Sequence, residues 1–260
     1  MKKADTLKQR ELHRGDPKGL VLNFLGNYSA PVQLMHSFLP GKKGKEDILQ
    51  AAMRAYVIST AACLETFFRD LYFYLLRKSP SFLPQALAVG NSKISARHLH
   101  RYLAHGVSSE EFAASQVSFQ NADAINQNIS LFFSTPLFDQ LDTFEPVCDI
   151  PSKKLGALVS LKLPSSWRSD LDRTFSFRHE FAHDANSKTQ IPLTEMQSIE
   201  TSALLVCQLT ALLPGIRPPI IVSNRQAPAI LTIDDLLSET WEIVEDEPAI
   251  VLSREVDGQN

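Results

Sequence analysis

Two side chains five positions apart, Arg178 and His183, carry between them the chemistry needed to cleave a ribose phosphodiester. Arginine is a permanent cation with a planar fork of donors, and histidine exchanges protons near neutrality. An imidazole can take the 2′-hydroxyl proton as that oxygen attacks phosphorus, while a guanidinium stabilises the charge that builds on the non-bridging oxygens. This needs neither a metal nor a cofactor, and it selects RNA because DNA lacks the nucleophile. His179 stands beside Arg178 as an orienting or proton-relay group. Five helical residues turn the chain by about 140°, so Arg178 and His183 do not share a stripe. Either the long arginine reaches around the helix, or two copies of the motif meet across a two-fold axis.

The same segment reads differently as His179-Glu180-Phe181-Ala182-His183, the His-Glu-x-x-His pattern of zinc proteases. There two imidazoles one turn apart hold the metal and the glutamate serves as base. Glu195 or Glu200 on the following helix offers a third ligand. Such enzymes place a sheet before the motif helix, and residues 92–164 show no clear alternating run. Elsewhere, Lys93, Arg97 and Arg101 recur every fourth residue and share one helical face that suits phosphates, or that is simply a solvated basic stripe. His98, His100 and His105 lie beside them without cysteines or acids at ligand spacing.

Elements must position these groups. From Glu46 to Lys78 apolar residues recur at helical spacing, which predicts one helix of about 50 Å closed by Ser79-Pro80. Its aromatics Phe67, Phe68, Tyr72, Phe73 and Tyr74 are expected in the core and a dimer interface. Shorter helices are expected over 92–104 and 109–116, with helical pieces in 120–145 and a proline-containing loop to Pro164. Ser169 with Asp172, and Thr194 with Gln197, read as capping boxes opening the motif helix and a closing helix to Leu213. Residues 1–45 are polar, carry Pro17, Pro31 and Pro40, and are expected to form an irregular basic arm. Residues 216–260 form an acidic extension in which Trp241 to Val244 and Ala249 to Leu252 suggest a β-hairpin.

A 260-residue chain with 44% hydrophobic and 21% charged residues can bury a large core. The absence of a long apolar window and the three unpaired-looking cysteines, Cys63, Cys148 and Cys207, lead to the expectation of a reduced, cytoplasmic protein with no membrane span. Net charge is only −3, yet residues 1–45 carry +6 and residues 216–260 carry −6. These charges read either as two solvated termini or as an acidic segment, residues 234–247, expected to shield a basic face until a trigger removes it.

Arg178-His179-Glu180-Phe181-Ala182-His183 resembles the Arg-x4-His signature of the HEPN superfamily. Leu64-Glu65-Thr66-Phe67-Phe68-Arg69-Asp70 resembles the leucine-glutamate, four residues, aspartate pattern of its RiboL-PSP-HEPN group. The order of elements agrees over roughly residues 46–213. The resemblance implies an all-α bundle over 46–215, homodimerisation and metal-independent endoribonuclease activity in a toxin–antitoxin or antiviral defence system, with an antitoxin or other regulatory partner. It places Arg178 and His183 in catalysis, with Glu65, Asp70 and Asp184 as supporting acids. A non-catalytic dimerisation or adaptor module is the remaining alternative, since many relatives with the fold are inactive.

Overall fold

The apolar spacing between Glu46 and Lys78 is realised as one helix of 33 residues. Its first turn carries Glu46 and Asp47 and its last Arg77 and Lys78, the charge order the helix dipole favours. A computed structural model describes residues 2–14, 19–37, 46–89, 96–150, 157–184, 186–214, 220–223, 241–244 and 249–251. In chain order the helices are α1 (Lys2–His13), α2 (Gly19–His36), α3 (Glu46–Lys78), α4 (Leu83–Val89), α5 (Ala96–Ala104) and α6 (Ser109–Gln116). Then come α7 (Ala122–Ser130), α8 (Leu137–Thr143), α9 (Trp167–His183) and α10 (Leu193–Leu212). The chain is mostly helical, and no helix among the described residues is long and apolar enough to cross a membrane.

Helix α3 is buried on several sides at once. Phe24 and Tyr28 of α2 pack on Phe67 and Tyr56, while Phe119 and Phe132 pack on Phe68 and Tyr72. Helices α9 and α10 close another side. Phe67, Phe68, Tyr72 and Phe73 are therefore core residues, as expected, and Tyr74 is half-buried.

The irregular arm expected over residues 1–45 is overturned by α1 and α2. Leu20, Val21, Phe24, Leu25, Tyr28, Val32 and Met35 recur at helical spacing and are all buried, with α2 lying along α3. Pro31 sits inside α2. A proline inside a helix costs about 3 kcal/mol, and burial of each large apolar side chain contributes about 1.5–3 kcal/mol, so seven such residues outweigh it. Helix α1 contributes Ala4 and Leu7 to a satellite core with Val107 and Phe112. Pro17 and Pro40 lie outside the described residues.

The C-terminal hairpin is also corrected. Strand β4 (Trp241–Val244) pairs with β3 (Ile220–Ser223), and β5 (Ala249–Val251) pairs with β1 (Val147–Ile150), whose other edge holds β2 (Ala157–Ser160). Glu245-Asp246-Glu247-Pro248 offers none of the Asn-Gly or Asp-Gly chemistry that a tight hairpin turn requires. The stretch expected as a loop before α9 thus contains β1 and β2. The shielding segment 234–247 falls largely outside the described residues.

Helix α9 begins at Trp167, earlier than a Ser169 cap would allow. Asp170 is drawn inward and accepts hydrogen bonds from the hydroxyls of Ser166, Ser198 and Ser202 at 2.9, 2.8 and 2.7 Å. Asp172 stays exposed, and α10 starts at Leu193 after Pro192, without a side-chain cap at Thr194. The buried carboxylate of Asp170 thus clamps α9 to α10.

A second clamp joins the end of α1 to α3 and α6, where Arg14 reaches both Asp70 and the fully buried Glu111. Burial pushes Glu111 up to about 7, against the pull of Arg14 and with the help of Glu11 and Asp70. The unfolded carboxylate ionises near 4.5. Between those values the native state keeps a proton that the unfolded chain has lost, so this group makes stability fall as pH rises through the window.

Two measurements follow from these clamps. Asp170→Ala strands the three hydroxyls and should lower unfolding free energy in urea by about 3 kcal/mol, with Asp170→Asn losing less. The midpoint of urea unfolding should drop between pH 5 and pH 8, and Glu111→Gln should reduce that drop.

Candidate functional site

Helix α9 lies antiparallel to α3, with Arg178 opposite Glu65 and Phe181 opposite Arg54. The Arg178 guanidinium is 3.2 Å from the Glu65 carboxylate, their side chains 28% and 12% exposed. This is an ion pair by distance, but the same Glu65 oxygen makes no aligned hydrogen bond. Burial raises the pKa of Glu65, while Arg178 and Arg69 pull it back down. A half-buried acid therefore anchors the arginine and leaves most of its donors uncommitted.

His179 and His183 are exposed and pack on each other, ring centroids 4.7 Å apart and planes at 56°. No hydrogen bond joins Arg178 to either imidazole among the described residues. The rotation of about 140° between Arg178 and His183 is thus realised as two faces of α9: Arg178 turned to α3, the imidazoles turned to solvent. Within one chain the structure brings Arg178 to Glu65 and His179 to His183, and leaves the two pairs separate.

Glu180 points elsewhere again. Its carboxylate accepts hydrogen bonds from the hydroxyls of Ser187 and Thr189, which hold its pKa below the usual carboxylate range. The segment after α9 is bound to α3 as well. Gln50 reads the backbone of Ile191 in both directions, at 3.2 and 3.0 Å, and Arg54 donates to the Thr189 carbonyl at 3.0 Å. A cleft of about 660 Å³ opens between this segment and α3, lined by Arg54, Phe181, Asp184, Lys188 and Gln190 among others. Phe181 and Arg54 form one wall, the Arg54 guanidinium 5.2 Å from the Phe181 centroid, with the buried Phe177 lying parallel to Phe181 at 5.5 Å. The Nε of Arg54 is buried and has no hydrogen-bond acceptor among the described residues.

The acids that the zinc reading needs are occupied. Besides Glu180, Glu195 pairs with Arg173, and the buried Glu200 lies 3.3 Å from His36. No three His, Cys, Asp or Glu side chains converge as metal ligands among the described residues. Strands β1 and β2 do precede α9, contrary to the expectation for residues 92–164.

Of the remaining sequence candidates, Asp70 serves Arg14 and not the α9 motif. Asp184 caps the end of α9, its carboxylate accepting from the Asn186 amide at 2.9 Å. Arg101 is exposed on α5, which packs on α6; Arg97 lies on the same helix, and Lys93 lies outside the described residues. His98, His100 and His105 are exposed there. The groups that sequence reasoning missed are Arg54, Gln50 and Phe181 as cleft wall and Lys188 as its rim. The available signal for Arg54 was that it is the one charged residue of α3 between Asp47 and Glu65.

No family model, no curated protein and no solved structure matches the chain. The site therefore rests on its own geometry.

Because Glu180 ties down residues 187–189, Glu180→Ala should speed hydrogen exchange at the Thr189 and Ile191 amides, whereas Glu180→Gln, which keeps an acceptor, should change it little. Its carboxylate is depressed, so protection present at neutral pH should fade only as pH drops through that lowered value.

Proposed function

We propose that the chain is a metal-independent endoribonuclease of the HEPN kind, working as a homodimer in a toxin–antitoxin or antiviral setting. The observation that supports this best is one helix carrying both halves of the chemistry: Arg178 braced by Glu65, then an exposed pair of imidazoles in contact with each other. Arg178 stabilises the phosphorane oxygens. One imidazole takes the 2′-hydroxyl proton as the 2′-oxygen bonds to phosphorus, and another imidazolium protonates the departing 5′-oxygen. The products are a 2′,3′-cyclic phosphate and a 5′-hydroxyl. His183 is the principal acid or base and His179 its relay.

Since the guanidinium and the imidazoles lie on different faces of α9, a second copy related by a two-fold axis supplies the missing half to each. The exposed histidines are available for such a meeting, and the cleft walled by Phe181 and Arg54 offers a flat cationic and aromatic surface for a base beside the scissile bond.

The test is incubation of the full chain with mixed RNA in EDTA. Arg178→Ala and His183→Ala should each lower cleavage at least about a hundredfold with an unchanged helical spectrum, and Glu180→Gln should leave it largely intact. Loss of activity in EDTA, stoichiometric zinc in the untreated protein and a dead Glu180→Gln would instead install a metalloprotease. No RNA cleavage by the wild type, with no zinc, would leave an adaptor module.

A further inference from the structure

A second cleft, of about 600 Å³, lies on the other side of Glu65, between α1, α2 and α3. Arg10, Arg14 and Arg69 line it, with the Asp70 carboxylate that pairs with Arg14. Arg14 is consumed by Asp70 and Glu111. Arg69 is half-buried, yet among the described residues no carboxylate lies within ion-pair distance of it and no acceptor takes its hydrogen bonds; the same holds for the exposed Arg10. Burial first, and then the nearby Arg14 and Arg10, hold the Arg69 pKa below its ordinary value. Three guanidiniums thus face one concavity; Arg14 takes Asp70 and Glu111 at contact, and Asp70 and Glu65 act on Arg69 only from beyond ion-pair distance.

The opposite wall is α2, where Asn23 and Asn27, one turn apart, bracket Gly26. Glycine is among the poorest helix formers, so one inside an 18-residue helix calls for a reason. Packing does not provide it, because a Cβ at Gly26 would meet nothing within 4 Å. What the missing side chain does provide is an open cleft wall.

We propose that this cleft binds the phosphate group of a small molecule, with Arg10 and Arg69 clamping its oxygens and the amides of Asn23 and Asn27 donating from α2. A guanidinium fork matches phosphate oxygens in geometry and charge, and charge-assisted hydrogen bonds are the ones that repay burial of a cation. The site is separate from the α9 motif and does not depend on RNA cleavage.

The test is calorimetric titration of the full chain with inorganic pyrophosphate, in parallel with a short single-stranded RNA lacking terminal phosphates. Wild type should bind pyrophosphate, and Arg69→Gln should weaken that binding at least tenfold. Gly26→Phe, whose ring enters open space, should do the same with an unchanged or higher Tm, so that loss of binding is not loss of fold. His183→Ala should bind pyrophosphate like wild type, which separates this site from the proposed catalytic one. Absence of binding at millimolar pyrophosphate, or equal binding by wild type and both variants, overturns the proposal. RNA binding that depends on Arg69 and Gly26 without any pyrophosphate binding overturns it too, by assigning the phosphate to a nucleic-acid chain.

Discussion

The physical constraint on which the structure depends is that α3 is apolar around most of its circumference. A helix of that kind must be covered from several sides at once, and the chain supplies α2, α6, α9 and α10 as covers. Covering a helix completely leaves no place for its charged residues. Glu65, Arg69 and Asp70 fall in adjacent turns of α3 at half-buried positions, so the covering helices must either carry opposite charges to them or leave gaps. Arg178 on α9 answers Glu65, and Arg14 beyond α1 answers Asp70. Arg69 has no carboxylate within ion-pair distance among the described residues, and there the covers stand apart as a cleft.

Local sequence explains why neighbouring residues of α9 do such different things. Successive positions turn by about 100°. Arg178 consequently meets α3, Glu180 meets the returning segment 187–189, and His179 and His183, four apart, share the outer face. The zinc pattern and the Arg-x4-His pattern overlap in letters but not in what they ask of Glu180. A protease needs that carboxylate beside the histidines and available for a proton. Here one of its oxygens accepts from two hydroxyls, which favour its charged form and make it a weaker base.

The most legible parts of the fold were those with strong period and clean punctuation. Helix α3 has both, and its bounds agree with the Glu46 to Lys78 pattern residue for residue. Helix α6, expected over 109–116, agrees as well, its Ser108 cap bonded to the Glu111 amide at 3.1 Å. Helix α2 had the period but contrary punctuation: prolines and positive charge pointed to an arm, and only burial against α3 decides for a helix. The start of α9 was misplaced because Asp170 finds partners on α10, 28 and 32 residues away in the chain, which no local capping rule can register. At the site, the angle between Arg178 and His183 was readable from helical geometry alone. The loss of Asp70 to Arg14 was not, since it depends on α1 and α2 being folded onto α3. The comparison of 241–244 with 249–251 shows the same limit, because strand character is local while the choice of partner is not.

Both clefts open on the same spine. The first is lined on α3 as far as Ile58 and the second from Thr66 onward, eight residues or about 12 Å along the helix, with Glu65 in the interval. Glu65 faces Arg178 on one side and is electrostatically coupled to Arg69 on the other. An anion placed against Arg69 would neutralise one of the two cations that keep Glu65 ionised, and so strengthen its dependence on Arg178. Through that shared carboxylate, an anion held in the α1–α2 cleft would alter the electrostatics of the Arg178–Glu65 pair. The coupling is reciprocal, as any binding linkage must be: what holds Arg178 tightly to Glu65 leaves Arg69 more in need of an anion of its own.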